Sequence, residues 1–224
     1  VSVAAYQALR HAVGDWTPAG VAGLRLGEWT ALYAGGVLSF AEALRVLAAR
    51  GRFMQEACEE QPGGMVSVIG LGPAELEQVC AATGVQIANR NSPEQTVLSG
   101  PQAGIQEADQ LARSLGAKRT VILKVAGAYH SKLMASAAVK LERLLAGMPL
   151  QAPTVPVVSN VTGQPHAGVD AIRRAMVQQV TAPVQWLGTV QWFQASGVRE
   201  YVECGPGNVL AGLIKRIDNQ AVTH

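Results

Sequence analysis

The segment Gly23-Leu24-Arg25-Leu26-Gly27 stands where a predicted strand turns sharply into a predicted helix. A Gly-x-Ser-x-Gly turn of this kind exposes its central side chain, and the flanking glycines permit the tight backbone and the close approach of the helix. In such a turn the central residue is a nucleophile. Here it is Arg25, whose guanidinium stays protonated and cannot form an acyl-enzyme. The sequence therefore predicts a nucleophile elbow without its nucleophile.

Composition excludes several classes of protein. The chain has 224 residues, of which 49% are hydrophobic, so it can bury a sizeable core as one large domain or as a domain with a smaller one inserted. Its net charge is +2 and its basic residues are dispersed, which argues against nucleic-acid binding. The longest segment without Asp, Glu, Lys or Arg, residues 144–169, is broken by prolines and is no membrane span. Three cysteines without paired spacing argue against disulfides and a metal site, and favour a cytoplasmic location.

Apolar periodicity predicts an α/β fold with an interruption in its middle. At the start we predict helices at 2–13, 27–35 and 39–60. The middle is predicted to contain strand 65–70, helix 73–83, strands 85–89 and 95–99, helix 101–116 and strand 118–124. At the end we predict helices at 131–147, 168–179, 183–196 and 206–217, with short strands near 155–159 and 199–204. The β-α-β-β-α-β order of the middle is that of a ferredoxin-like unit. We expect an α/β-hydrolase-like body with a parallel sheet (1–61 and 126–224) and an inserted ferredoxin-like domain (62–125). The cleft between them is the expected ligand site.

Segments distributed over the whole chain resemble one enzyme family. They are Gly27–Leu32, Arg50–Gln55, Asn89–Pro93, Gly127–Ser131, Ala152–Val157, Pro183–Trp186 and Gly205–Leu210. In this order they resemble the malonyl-CoA:acyl carrier protein transacylases, the acyltransferases of fatty-acid and polyketide synthesis. The resemblance implies ping-pong transfer of malonyl from coenzyme A to the phosphopantetheine thiol of an acyl carrier protein, through an acyl-serine. It implies no further cofactor, and neither a nucleic acid nor a membrane as partner.

The resemblance also implies catalytic roles for residues outside the elbow. His130 takes the position of the catalytic base that partners the missing serine. Gln179 falls where a backbone carbonyl orients that histidine, which would fix its tautomer without a third ionised group. The N–H of Leu26, directly after the elbow residue, is an expected oxyanion donor.

Substrate-binding roles follow in the same way for Arg50, Tyr129 and Asn160. Arg50 resembles the arginine that clamps the malonyl carboxylate in a bidentate pair, although an arginine lying along an apolar surface would give the same pattern. Tyr129 resembles the aromatic residue that limits the size of the acyl α-substituent. Asn160, like Asn89, is similar to a residue near the cleft mouth, but turns and caps also select asparagine.

Two departures from the family leave the activity open. Leu24 and Arg25 replace the histidine and the nucleophilic serine of Gly-His-Ser-Leu-Gly. The family's Gly-Gln-Gly oxyanion segment has no counterpart before Val1. The chain also starts in what is predicted to be the middle of a helix, which favours a segment of a longer protein or an incompletely represented chain. Three hypotheses remain: an impaired malonyltransferase, a non-catalytic homologue that binds acyl-CoA or a carrier protein, and a serine replaced by a single-base change.

Charges near the predicted cleft suggest two further contacts. Lys132, Lys140 and Arg143 are predicted to share one helix face, which could attract an acidic carrier protein or could simply be solvated. Arg25 and Arg50 are expected to point into one pocket and to share an anion, because two unpaired like charges there would otherwise repel.

Overall fold

The computed structural model describes residues 1–14 and 16–224, and its elements follow the predicted order closely. They are α1 (Ser2–Val13), α2 (Leu26–Ala34), α3 (Phe40–Glu60), β1 (Gly63–Ile69), α4 (Pro73–Thr83), β2 (Gln86–Arg90), β3 (Gln95–Pro101), α5 (Gln102–Ser114), β4 (Arg119–Ile122), a 3₁₀ turn (Lys132–Met134), α6 (Ala135–Ala146), α7 (Val169–Gln178), α8 (Trp186–Ala195), β5 (Glu200–Tyr201), α9 (Val209–Ile217) and β6 (Val222–Thr223). The fold is mixed α/β, as predicted.

Helix α3 begins at a complete capping box. The Ser39 hydroxyl accepts a hydrogen bond from the N–H of Glu42 at 3.2 Å, and the Glu42 carboxylate accepts one from the N–H of Ser39 at 2.7 Å. This reciprocal pair satisfies two of the free N–H groups at the helix start. The helix that follows buries Val46, Arg50 and Met54 on its inner face. Arg50 therefore lies on the inner face of this helix.

The middle of the chain forms an antiparallel sheet of strand order β2-β3-β1-β4. One face of the sheet packs against α4 and α5 through a cluster that includes Val66, Leu98 and Ile105. Because side chains alternate along a strand, Met65 lies on the other face, which packs against Tyr129. The sheet thereby presents one side toward the rest of the chain.

The sheet predicted for the body is shorter than expected. Strand 155–159 is reduced to bridges at Val157, which pairs in parallel with Val21, and at Val158. Prolines at 153 and 156 have no N–H to donate, which prevents a longer ladder. The predicted strand 199–204 is limited to β5, paired in parallel with β6, which the sequence pattern had not indicated.

Helix packing supplies the core of the body. Trp29 and Leu32 of α2, Val46 of α3, Leu141 of α6 and Ile172 of α7 belong to one buried cluster. The elbow at the start of α2 is thus anchored to the core directly behind it. In the part of the chain that is described, no helix is both long enough and apolar enough to cross a membrane.

Candidate functional site

The elbow has the strained backbone that its sequence predicts. Arg25, the residue before α2, has φ 57° and ψ −110°. Among the described non-glycine residues, only His130 also has a positive φ. L-residues rarely adopt such a conformation, because the Cβ atom then meets the neighbouring backbone. Gly23 permits the turn, since a Cβ at this position would lie 2.1 Å from the carbonyl carbon of Gly27. The tight turn holds residue 25 out from the chain.

Asn160 holds the elbow backbone with both ends of its amide. Its Oδ1 accepts a hydrogen bond from the N–H of Arg25 at 2.6 Å, and its Nδ2 donates to the carbonyl of Gly23 at 2.7 Å. The side chain is completely buried. The structure therefore places Asn160 against the elbow, and its substrate contact stays a prediction.

The Arg25 side chain points to the four-stranded sheet. Its Nη2 donates to Oδ1 of Asn89 at 2.7 Å and lies 4.0 Å from the sulfur of Met65. Both of these neighbours are buried, and burial lowers the pKa of the Arg25 guanidinium. A positive charge thus occupies the central position of the elbow, where the resemblance predicts a nucleophile.

The buried side chain of Gln179 connects the two arginines. Its Oε1 accepts a hydrogen bond from Nη2 of Arg50 at 3.2 Å, while its Nε2 donates to the carbonyl oxygen of Arg25 at 3.0 Å. The same Nε2 donates to Oε2 of Glu28 at 2.6 Å. One amide therefore fixes the Arg50 guanidinium relative to the elbow.

The backbone carbonyl of Gln179 orients His130. The Nδ1 atom of His130 lies 2.7 Å from this oxygen, so Nδ1–H is the donor and Nε2 keeps its lone pair. Burial, followed by the positive charges of Arg25 and Arg50, lowers the pKa of His130 to about 3, although hydrogen bonds to the carbonyls of Gln179 and Ala182 oppose this shift. The imidazole is neutral at physiological pH and can accept a proton at Nε2.

Glu28 and His166 form a buried pair that the sequence did not reveal. Oε1 of Glu28 lies 2.9 Å from Nε2 of His166, and the side chains are 0% and 2% exposed. Glu28 belongs to a family-like segment, but nothing in the sequence connects it with His166. Together with Gln179 the pair extends the polar network beneath the elbow.

The remaining predicted residues lie around this network. Arg50 is 7% exposed, and burial followed by the charge of Arg25 lowers its pKa to about 10. Tyr129 is half-buried. It packs against the buried cluster that contains Trp29 and Leu32, and it also packs against the four-stranded sheet at Met65. Leu26 is the first residue of α2, where its N–H has no intrahelical partner.

A cleft of about 360 Å³ borders His130. Its lining includes Cys80, Gln86 and Arg90 from α4 and β2, and Pro183 from the loop before α8. A larger cavity of about 860 Å³ borders the elbow at Gly23, Leu24 and Gly27. Neither Arg25 nor Arg50 lines either of the two cavities. The smaller cleft is the one that His130, the predicted base, lines. Within residues 1–14 and 16–224, no cluster of His, Cys, Asp or Glu side chains could hold a metal ion.

The predicted basic face differs from the expectation. Lys132 lies in the 3₁₀ turn before α6 rather than in the helix itself. The Nζ of Lys140 lies 2.8 Å from the Glu56 carboxylate and 3.5 Å from that of Glu60, so its charge is compensated locally. Lys132 and Arg143 form no ion pair with any other described residue.

Comparisons of sequence give a consistent assignment. Residues 1–221 match the acyl transferase domain family. The malonyl CoA-acyl carrier protein transacylase of Escherichia coli K12 is 44% identical over 220 residues, which are 96% of this chain and 71% of that protein. The polyketide biosynthesis protein ThaF of Burkholderia thailandensis is 40% identical over 203 residues, which are 89% of this chain but 17% of that protein.

Solved structures agree with the sequence comparisons. The malonyl CoA-acyl carrier protein transacylase of Coxiella burnetii superposes with a TM-score of 0.94 at 38% identity, covering 99% of this chain and 71% of that one. A malonyl-transacylase solved in complex with its type II polyketide acyl carrier protein gives the same TM-score at 38% identity, covering 99% of this chain and 73% of that one.

Proposed function

Because the chain belongs to the malonyl-CoA:acyl carrier protein transacylase family, we propose that its site binds the malonyl group of malonyl-CoA and faces an acyl carrier protein, in fatty-acid or polyketide synthesis. We propose further that the chain, with Arg25 at the elbow, forms no acyl-enzyme. The observation that carries this second statement is the Arg25 backbone, with φ 57° at the start of α2. Such a backbone supports the assignment of residue 25 to the nucleophile position.

The chemistry of serine acylation explains why we expect no acyl-enzyme on this chain. In the family's reaction a serine oxygen attacks the thioester carbonyl, its proton passes to the catalytic base, and the coenzyme A thiolate leaves. His130 could accept that proton at Nε2, because Nδ1 is bound to the Gln179 carbonyl. The protonated guanidinium of Arg25 has no lone pair with which to attack. Removal of a nucleophile of this type costs several orders of magnitude in rate.

The residues that would bind and polarise the substrate are retained in this proposal. Arg50 would pair with the malonyl carboxylate through its guanidinium, whose Nε has no hydrogen-bond partner among the described residues and whose Nη2 donates to Gln179. The N–H of Leu26 would face the thioester oxygen as one oxyanion donor. Tyr129 would limit the acyl α-substituent, and Asn160 would act on substrate through the elbow that it holds.

A non-catalytic binding homologue is the second candidate. It is favoured by the polar network around the substituted residue: Asn160, Gln179 and Glu28 are buried and hydrogen-bonded as a set. Each of these three side chains has its hydrogen-bond partners, so the pocket around residue 25 remains ordered with an arginine at the elbow. In this case the chain would bind acyl-CoA or a carrier protein without transfer.

Intact-mass spectrometry after incubation with malonyl-CoA tests the proposal. We expect no malonyl adduct on the wild-type chain. We expect one on the double variant Leu24→His/Arg25→Ser, which restores the family's histidine and serine, in a chain that also includes the upstream oxyanion segment. A stable adduct on wild type that maps to Arg25 or its neighbours would contradict the proposed loss of covalent transfer. Absence of an adduct on the double variant, with folding intact, would favour the binding homologue.

We also propose the finer description of the fold. An α/β-hydrolase-like body would comprise 1–61 and 126–224, and a ferredoxin-like domain would comprise 62–125. The strand order β2-β3-β1-β4 and the helices α4 and α5 support the second assignment. The parallel pairing of Val21 with Val157 beside the elbow supports the first.

A further inference from the structure

Glu28 is a buried carboxylate that no step of the proposed function uses. It lies in the first turn of α2, where the free N–H groups of a helix start favour a negative charge, and its side chain is fully buried. Its Oε1 lies 2.9 Å from Nε2 of His166, and its Oε2 accepts a hydrogen bond from Nε2 of Gln179 at 2.6 Å. These partners are 138 and 151 positions away in the sequence. Both oxygens of Glu28 are therefore bound within the protein and hold distant segments.

The side-chain amide of Gln179 meets opposite kinds of group at its two ends. Its NH2 group faces two acceptors, the Glu28 carboxylate and, at 3.0 Å, the carbonyl oxygen of Arg25. Its oxygen faces a donor, Nη2 of Arg50, at 3.2 Å. Because an amide nitrogen donates and an amide oxygen accepts, these neighbours determine which end of the amide points to Arg50.

Glu28 is the strongest of the neighbours that orient this amide. Its hydrogen bond is the shortest of the three, and a bond to an ionised acceptor is roughly twice as strong as one between neutral groups. An ionised carboxylate has no proton to donate, so it always favours the observed orientation. In the reversed orientation the NH2 group of Gln179 would face the guanidinium of Arg50, donor against donor.

We propose that Glu28 is a positioning residue for malonyl recognition: it fixes the orientation of the Gln179 amide, and the amide oxygen then holds the Arg50 guanidinium in the direction in which it meets the malonyl carboxylate. The inference rests on the proposed carboxylate contact of Arg50. His166 takes part as the donor that holds the second oxygen of Glu28.

The contact between Gln179 and His130 should not depend on Glu28. It is made by the backbone carbonyl of Gln179, 2.7 Å from Nδ1 of the imidazole, and not by the amide. The N–H of Gln179 donates to the Ala175 carbonyl at 2.8 Å, which holds this backbone at the end of α7 whatever the side chain does. Glu28 therefore acts on one of the two contacts of Gln179. This distinguishes positioning from a general loss of structure in the site.

The variant Glu28→Gln should reverse the amide. Because His166 donates from Nε2, the new side chain would place its oxygen there and its NH2 group toward Gln179. Two NH2 groups cannot hydrogen-bond to each other. We therefore expect Gln179 to present its oxygen to residue 28 and its own NH2 group to Arg50, which loses its acceptor.

Isothermal titration calorimetry with malonyl-CoA and acetyl-CoA measures the consequence. We expect wild type to bind malonyl-CoA about tenfold more tightly than acetyl-CoA, and Glu28→Gln to reduce this preference to about threefold or less. The affinity for acetyl-CoA should stay within about twofold of wild type, since it has no carboxylate for Arg50. Glu28→Asp keeps the charge but withdraws it from Gln179, so its preference should be intermediate. The matched control is Glu107→Gln, at an exposed position of α5, which should keep the wild-type preference.

The outcomes separate this inference from the proposed function. A wild-type preference in Glu28→Gln would overturn the positioning role and leave the malonyl site standing, because the Arg25 carbonyl would then suffice to orient the amide. Equal loss of both affinities would also overturn it, as would a changed tautomer of His130 in the ¹⁵N spectrum of the imidazole. Absence of a preference in wild type would overturn both.

Circular dichroism and thermal unfolding without ligand establish that each variant is folded. If Glu28→Gln fails to fold, Glu28→Asp decides the question. A wild-type preference for malonyl-CoA in Glu28→Asp would then overturn the positioning role, and a reduced preference with unchanged acetyl-CoA affinity would support it.

Discussion

The carbonyl oxygen of Gln179 lies 2.7 Å from Nδ1 of His130, and the side chain of the same glutamine contacts Arg50. One buried residue thus fixes both the predicted base and the predicted carboxylate-binding group. Its backbone sets the tautomer of the imidazole, and its amide sets the direction of the guanidinium. Variation at Gln179 would therefore affect two functions together.

His130 should make stability depend on pH. Because its pKa is lowered from 6.5 to about 3, the unfolded chain binds more protons than the folded chain between these values. The stability contribution is complete above about pH 6.5 and is lost as the pH falls toward 3. We expect His130→Gln to reduce the pH slope of the unfolding free energy by up to about 1.4 kcal/mol per pH unit, measured by urea titration.

The control for this titration is His11→Gln, which replaces an exposed histidine of α1. Its pH slope should match that of wild type. An unchanged slope in His130→Gln would show that His130 does not carry the low pKa.

The elbow glycines should respond in opposite ways to alanine. In Gly23→Ala the new Cβ would lie 2.1 Å from the Gly27 carbonyl carbon, so the backbone must shift, and we expect about 3 kcal/mol or more of destabilisation. At Gly27, inside α2, a Cβ meets nothing within 4 Å. There alanine should stabilise by up to about 1 kcal/mol through its helix propensity. Chemical denaturation measures both, and equal effects would contradict the tight-turn geometry.

Glu28 should be more important to stability than an exposed acid. Glu28→Gln removes the charged acceptor of Gln179 and His166, and it removes the negative charge that opposes the lowering of the Arg50 pKa. We expect a loss of about 2–4 kcal/mol in unfolding free energy. Glu107→Gln, at an exposed position of α5, should stay within about 0.5 kcal/mol of wild type. A Glu28→Gln variant as stable as this control would exclude an electrostatic role for Glu28.

Binding of a carrier protein should depend on Lys132 and Arg143 and not on Lys140. Reversal of the exposed charges in Lys132→Glu or Arg143→Glu should weaken binding of an acidic carrier protein about fivefold, since each contact contributes up to ~1 kcal/mol. Lys140→Gln should have little effect, because Lys140 is paired with Glu56 and Glu60. Surface plasmon resonance at two salt concentrations measures the affinities. Binding that is insensitive to salt and to both reversals would remove this face from the interface.

Short-range patterns in the sequence were sufficient for much of the fold. Helix α1 was predicted at 2–13 and α4 at 73–83, and both are observed with these bounds. The strand and helix order of the middle segment was also correct. These features depend on apolar spacing, turn residues and caps, which act over a few residues. The elbow could be predicted for the same reason, because its two glycines are close together in the sequence.

Contacts between distant segments were decided only by the tertiary structure. The amide of Gln179 meets the carbonyl of Arg25 across 154 positions, and His166 meets Glu28 across 138. No local pattern specifies such pairs, because they arise when separate helices and loops pack around one core. The sequence by itself predicted an arginine at the nucleophile position of the elbow. The folded chain decided that this arginine is held at Asn89, without an acidic partner among the described residues, in the same buried network as Arg50.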